Sequence, residues 1–249
     1  MKKDKNLAFG IHPVEEALTS GKEIDKIYIK KGTSNEAIAQ LVRTARQRSI
    51  PIQHVPVEKL NKIYRGNHQG IIAQLSLIEY KSIEEIVQRT YEEGLDPFIA
   101  VLDHITDVRN FGAIARTAEC VGINAIVIPD KGAANITPDA IKTSAGALNR
   151  LAICRVHDLK DVINYLKNSG VTIIASTEKA DEDHFKANLT GPAALIMGSE
   201  ETGVSQQLLE LSDTRIRIPM ATNFDSLNVS VAFGIVSYEI MRQRLFVKS

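Results

Sequence analysis

A chain of 249 residues that is 44% hydrophobic, 24% charged and only 5% aromatic has the composition of a folded globular protein with one large domain or two smaller ones, not of a disordered tract. No apolar run approaches the roughly 18 residues of a membrane span, and the start, Met1-Lys2-Lys3-Asp4-Lys5, lacks the apolar stretch of a secretory signal, so the chain reads as cytoplasmic. Its 30 basic and 30 acidic residues cancel overall, yet residues 1–80 hold 13 basic against 8 acidic and the remainder 17 against 22. That asymmetry fits either a basic N-terminal module that meets an anion or an ordinary surface fluctuation.

The first third reads as a small α/β module. A charged helix is expected after Leu7-Ala8-Phe9-Gly10, and residues 23–29 alternate polar and apolar as a half-buried strand does. Residues 34–48 carry a helical stripe at Ala37, Ile38, Leu41, Val42 and Ala45, with Ser34 as the N-cap. Segments 50–55 and 70–75 read as strands, and 81–94 as a charged helix ending on Gly94. The expected organisation is a domain at 1–80, a linker at 81–96 and a second domain at 97–249.

From residue 98 onward, short continuous apolar runs at 98–102, 125–128, 171–175, 193–197 and 214–218 have the pattern of strands covered on both faces. Helical patterns lie between them at 112–121, 139–148, 159–168 and 205–211. The last segment, 226–246, predicts a long helix. Its first half, including Leu227, Val229, Val231, Phe233, Ile235 and Val236, is apolar nearly all round, which implies burial on several sides and a subunit interface. Cys120 and Cys154 sit in apolar surroundings and read as buried, reduced thiols. No metal-ligand pattern is present; the six histidines are scattered, with surface or capping roles for His12, His54, His157 and His184 and structural ones for His68 and His104.

Three stretches are dense in Gly, Ser and Asn where core packing does not require them. In 103–118 a strand ends, a polar loop follows, and a helix starts near Asn110, with Arg116 roughly one and a half turns in. In 195–205 an apolar strand breaks at Gly198, and Glu200 and Glu201 precede Gly203 and a helix capped by Ser205. Glycines there let backbone approach a ligand, and the paired carboxylates disfavour phosphate. In 216–231 a strand runs through Ile218-Pro219-Met220 into a helix that opens with Ser226, Asn228 and Ser230, polar groups that need partners in apolar surroundings. Neither a Gly-x-Gly-x-x-Gly nor a Gly-x4-Gly-Lys-Ser/Thr motif occurs.

Taken in order, these stretches resemble the three motifs of the SpoU (TrmH) family of RNA ribose 2′-O-methyltransferases, in the SPOUT superfamily. The first is carried by Asn110-x-Gly112-x-x-x-Arg116-x-Ala118, and the second by Gly198-x-Glu200-x-x-Gly203-x-Ser205. The third is carried by Ile218-Pro219-Met220 with Ser226-Leu227-Asn228-Val229-Ser230. Ser144-Ala145-Gly146-Ala147 resembles a further family loop, and Thr222 departs from the Gly often found there. The segments 9–18 and 68–71 resemble an extra N-terminal domain of the 23S ribosomal RNA guanosine 2′-O-methyltransferases, similar to ribosomal protein L30e and RNA-binding.

The resemblance implies an α/β fold with a parallel sheet and a C-terminal trefoil knot, an obligate homodimer, and S-adenosylmethionine as cofactor. Cofactor contacts would fall on Gly198, Ile218 and Leu227, with Met197, Met220 and Thr177. The implied activity is methylation of a guanosine ribose in 23S rRNA; the alternatives are a tRNA ribose methyltransferase and a non-catalytic RNA-binding or assembly protein. Arg116 is the expected centre of catalysis. Its high pKa favours a clamp on the substrate phosphate over a base, although a transient deprotonated form is the rival. Asn110 would orient Arg116 or the ribose, Glu200 would hold a substrate hydroxyl or Arg116, and Ser226 and Asn228 would fix the reacting nucleotide. Lys2, Lys3 and Lys5 read as a solvated tail or as contacts to RNA phosphates.

Overall fold

In the computed structural model, which describes residues 6–48, 50–222 and 226–246, the chain divides between Glu79 and Tyr80 into two units. Lys2, Lys3 and Lys5, and the segment 223–225 of the third polar stretch, lie outside the described residues.

The first unit runs β1 (Leu7–Phe9), α1 (Ile11–Thr19), β2 (Ile24–Lys30), α2 (Glu36–Gln47), β3 (Ile52–Val55), α3 (Val57–Ile63) and β4 (Ile71–Leu75). Its sheet has the order β1-β4-β2-β3, with only the β2–β3 pair parallel. Alternation along β2 sends Ile27 and Ile29 to one face, against Val14 and Leu18 of α1 and Ile38 and Leu41 of α2. Tyr28 faces the other way, toward Ile72 of β4 and Leu60 of α3. Helix α2 is capped by Asn35, whose side chain accepts from the Ile38 amide, and not by Ser34 as expected. β1 and α3 had no periodic signature, because three and seven residues are too few for a period to register.

The second unit begins with α4 (Ile83–Glu92), which corrects the expected linker at 81–96. Ser82 caps this helix, and its Ile83 and Val87 are buried with Ile99, Val101 and Val127 of the main sheet. The helix therefore belongs to this unit. There follow β5 (Phe98–Asp103), α5 (Val108–Cys120), β6 (Ala125–Pro129), α6 (Pro138–Thr143), a 3-10 turn (Ala147–Asn149), β7 (Ala152–Val156) and α7 (Leu159–Asn168). The chain continues through β8 (Thr172–Ser176), β9 (Glu182–Asp183), β10 (Ala193–Gly198), α8 (Gln206–Leu211), β11 (Thr214–Arg217) and α9 (Val229–Phe246). The seven strands pair in the order β7-β6-β5-β10-β8-β11-β9, all in parallel.

The single helix expected over 139–148 is split. α6 ends at Thr143, and Ala145 and Gly146 take φ of 50° and 81°, which a helix cannot absorb. β7 was not expected, since Arg155 interrupts its short apolar run. Cys154 is buried in β7, and burial pushes its thiol up to about 12, so it stays protonated and inert. Cys120 is exposed, contrary to its expected burial, because it closes α5 on the solvent side. Helix α9 buries Val229, Phe233, Val236 and Ile240 but leaves Val231 at 50%, Ile235 at 37% and Tyr238 at 48% exposure, an uncovered apolar stripe at helical spacing. Among the described residues, no helix is long and apolar enough to cross a membrane.

What positions the site is the insertion of β10 between β5 and β8. The chain leaving β5 turns to β6 on one side, whereas the chain leaving β10 reaches β11 on the other. A crevice opens where such connections diverge at strand carboxyl ends. Those ends are Asp103 and Gly198, which are register partners.

Candidate active site

Three segments meet at this crevice through one carboxylate oxygen. Glu200 Oε1 accepts from Asn110 Nδ2 at 3.1 Å, Asn228 Nδ2 at 2.6 Å and the Val229 amide at 3.1 Å. Asn228 Nδ2 also donates to Asn110 Oδ1 at 3.0 Å, and Asn228 Oδ1 accepts from the Ser230 amide and hydroxyl at 3.0 and 2.6 Å. Each of the two amides thus has its orientation set by what it donates to and accepts from. Asp107 supports the arrangement from below as N-cap of α5, its Oδ1 accepting from the amides of Arg109 and Asn110. The helix therefore starts at Val108, two residues before Asn110, which lies in the first turn with its side chain available to the cluster.

A cleft of about 290 Å³ adjoins the cluster. Thr177, Met197, Gly198, Ile218, Met220 and Leu227, the six residues expected to contact a cofactor, all line it, together with Glu200 and Ser226. Gly198 has a local reason: the loop behind it doubles back, Gly203 donating its amide to Ser199 O at 2.9 Å. A Cβ on Gly198 would overlap the Gly203 carbonyl carbon and the Val204 nitrogen, which are backbone and cannot yield cheaply. Glu178 and Lys179 also line the cleft. They directly follow Thr177 beyond the carboxyl end of β8 and were not among the expected contacts.

A second cleft of about 340 Å³ lies on the other side of the same loop and is lined by Asn110, Glu200 and residues 104–107. Glu200 belongs to both clefts. Its Oε2 has no partner among the described residues.

Within the chain, Arg116 stands apart from the cluster. It lies six residues beyond Asn110 on α5, about 120° around the helix and roughly 9 Å along it. It lines neither cleft, is exposed, and makes no hydrogen bond or ion pair among the described residues. Within the chain, Asn110 and Glu200 hold each other and Asn228. The 144–147 segment forms the turn after α6 and also lines neither cleft.

In the first unit, the two segments singled out from the sequence come together. Gln69, at a φ of 50°, presents Oε1 to the Ile11 amide at 2.9 Å, and the Gly10 amide donates to Ile71 O at 3.1 Å. His68 is buried; its Nδ1 accepts the Gly70 amide at 3.0 Å, so Nε2–H donates to Asn61 Oδ1 at 3.0 Å.

Residues 97–238 match the model of the SpoU rRNA Methylase family, and residues 7–81 match that of RNA 2′-O ribose methyltransferase substrate binding. Over 98% of its length and of the relative's, the chain is 33% identical to the TrmH family tRNA/rRNA methyltransferase YacO of Bacillus subtilis. It is 32% identical to a TrmH family relative in Staphylococcus aureus over 94% of this chain and 95% of that one. Among solved structures, AviRb of Streptomyces viridochromogenes, in complex with the cofactor AdoMet, shares the fold at TM-score 0.61 and 23% identity, over 95% of this chain and 89% of that one. The A. aeolicus TrmH/SpoU tRNA-modifying enzyme aligns at TM-score 0.55 and 30% identity over 64% of this chain and 83% of its own. With its three motif segments joined at one cluster and both units matched, the chain belongs to the SpoU (TrmH) family of RNA methyltransferases.

Proposed function

We propose that the protein methylates the ribose 2′-hydroxyl of a guanosine in 23S ribosomal RNA, in the cytoplasm and as a homodimer. Family membership makes it an S-adenosylmethionine-dependent RNA methyltransferase. The observation that carries the reading is the Asn110–Glu200–Asn228 cluster between two clefts, because it gives one side for a donor and the other for an acceptor. A ribosomal substrate is supported by the first unit. Residues 7–81 match RNA 2′-O ribose methyltransferase substrate binding, whereas the likeness to a tRNA-modifying enzyme covers 64% of this chain. We further propose that the first unit is L30e-like and that the chain beyond β11 passes through a trefoil knot. In support of the knot, Glu200 on the β10–α8 loop is tied to Asn228 and Val229 beyond β11.

The donor cleft fits its ligand in kind: apolar walls from Met197, Ile218 and Leu227, backbone exposed at Gly198, and carboxylates but no built phosphate site. Bound there, S-adenosylmethionine would supply an electrophilic methyl on a sulfonium and leave a neutral thioether behind, so no general acid is required. Glu200 Oε2 accepts the hydrogen bond of the ribose hydroxyl, whose proton passes to water as the oxygen–methyl bond forms, while Ser226 and the Asn110–Asn228 pair hold the nucleotide still. Orientation of this kind contributes up to ~7–11 kcal/mol in well-aligned reactions. Arg116, free and outside the clefts of its own chain, serves the site of a partner copy. There its guanidinium grips the acceptor phosphate and stabilises the developing alkoxide. The uncovered stripe at Val231, Ile235 and Tyr238 supports the dimer this requires.

Arg116→Ala and Glu200→Ala chains are each expected to lose about 10²-fold or more of activity alone, and co-refolding them is expected to restore methyl incorporation. Only a mixed dimer then carries one site with both groups. No restoration in mixed dimers verified by mass would overturn the shared site. The substrate is tested by mapping ribose methylation in total RNA from cells with and without the gene. Loss of one 2′-O-methylguanosine in 23S rRNA is expected; a loss confined to tRNA would overturn the ribosomal reading.

A further inference from the structure

A third cavity, of about 220 Å³, lies at the carboxyl ends of β5, β6 and β7 and shares His104 with the acceptor-side cleft. The reaction described above does not use it. Two histidines line it, each held through Nδ1 by a sequestered carboxylate. His104 is bound to Asp103, and His157 to Asp130 at 3.0 Å. The carboxylate side chains are 2% and 11% exposed and the imidazoles 61% and 76%. Both rings are therefore anchored on the protein side, and neither Nε2 has a partner among the described residues.

His104 pays a conformational cost for its place. Its φ of 58° is uncommon for a residue with a side chain. The ring passes over Gly132, where a Cβ would stand 2.9 Å from His104 Cδ2. Asp103 also accepts the Ser205 amide at 2.7 Å, so the carboxylate that fixes the ring is itself fixed. Strain, a bare glycine and a buried carboxylate all serve to hold one imidazole at the cavity.

The charges of the lining decide which ligand fits. Besides the two histidines these are Lys131, Lys160, Asp103, Asp130 and Asp158. Lys160 is tied to Asp158 at 3.4 Å, whereas Lys131 has no partner among the described residues. With each carboxylate already engaged by a histidine, an amide or a lysine, the groups left over are the Lys131 ammonium and the two Nε2 atoms. Nitrogen groups of this kind, lining one cavity, suit the oxygens of a phosphate. Pro129, Leu159 and Leu208 supply apolar wall beside them, enough to cover one face of a base or sugar.

We propose that this cavity is a subsite for a nucleotide flanking the methylated one, with its phosphate held by His104, His157 and Lys131. The proposal rests on the RNA-methylation reading and extends it along the strand, since His104 belongs to both this cavity and the acceptor cleft. It makes the enzyme a reader of the strand next to its target.

The test uses the full chain labelled at histidine, with side-chain resonances assigned by His104→Gln and His157→Gln, and titrated with inorganic phosphate, 5′-GMP, guanosine and a single-stranded RNA 6-mer. Saturable shifts of both His104 and His157 are expected with phosphate, 5′-GMP and the 6-mer but not with guanosine. Lys131→Gln is expected to weaken the phosphate-bearing ligands by about tenfold, the loss of one charge-assisted hydrogen bond. Shifts with inorganic phosphate alone, or none with any ligand, would overturn the subsite. S-adenosylmethionine binding is measured on the same samples by calorimetry. A wild type that binds the donor while its two histidines stay silent overturns the subsite alone; one that binds neither overturns the methylation reading as well.

Discussion

Glu200→Ala is expected to lower methyl transfer by about 10²-fold or more, the cost of misplacing reacting groups by an ångström. The melting temperature should change little. One oxygen of this side chain accepts from Asn110, Asn228 and the Val229 backbone, segments 90 and 28 residues away from it for the two asparagines. Truncation leaves the two asparagines bonded to each other but no longer anchored to the β10 loop. Glu200 and Asn228 are exposed, so truncating Glu200 removes little buried surface, and the damage falls on turnover. Glu200→Gln keeps an acceptor oxygen for part of the set and should lose an intermediate amount. Single-turnover methyl incorporation into RNA, measured beside calorimetric donor binding, separates the effects. A Glu200→Ala enzyme within about threefold of wild type would be incompatible with the role assigned to the cluster, since even modest general positioning effects exceed that factor.

Gly198→Ala is expected to abolish donor binding and also to destabilise the fold. The added methyl overlaps the backbone of Gly203 and Val204, and neither can move without opening the loop that doubles back from Gly198. Overpacking against rigid neighbours costs roughly 3 kcal/mol, and for a unit of this size that lowers Tm by roughly 6–12 °C. The cleft shares this loop, with Ser199, Glu200 and Gly203 on its wall, so the same displacement deforms the donor site. Calorimetry with S-adenosylmethionine and a thermal melt on the same sample check both consequences. Tight donor binding at an unchanged Tm would show that the loop is not built as described. A Gly203→Ala control meets no nearby atom, and its cost should come only from its φ of 68°.

Most of the second unit's alternation of strands and helices was legible in the sequence, because strands buried on both faces leave unbroken apolar runs. The stretch 193–197 reads that way, and β10 has residues 193–197 buried throughout. The misses have local causes. β7 carries Arg155 within a five-residue strand, and α6 is stopped by Ala145 and Gly146 in left-handed conformations that no periodicity reveals. The segment 81–96 was read as a linker because its exposed face is charged. Its burial depends on Ile83 and Val87, two residues whose partners on β5 and β6 are distant in sequence. One motif holds both Asn110 and Arg116, yet within the chain they stand apart, because a six-residue step on a helix turns a side chain to a different face.

Residue chemistry along the chain was enough to determine the alternating α/β pattern, the three polar segments and the family they belong to, because each is a local property of spacing and side-chain type. The position of β10 between β5 and β8 was decided only by the tertiary structure, since parallel pairing joins strands far apart in sequence and leaves no mark in either strand alone. That pairing puts Gly198 beside Asp103 and lets one glutamate oxygen collect donors from three separate segments. Placing Arg116 outside its own clefts likewise follows from how α5 is turned in the folded unit, a fact of rotation about an axis that spacing along the chain does not contain.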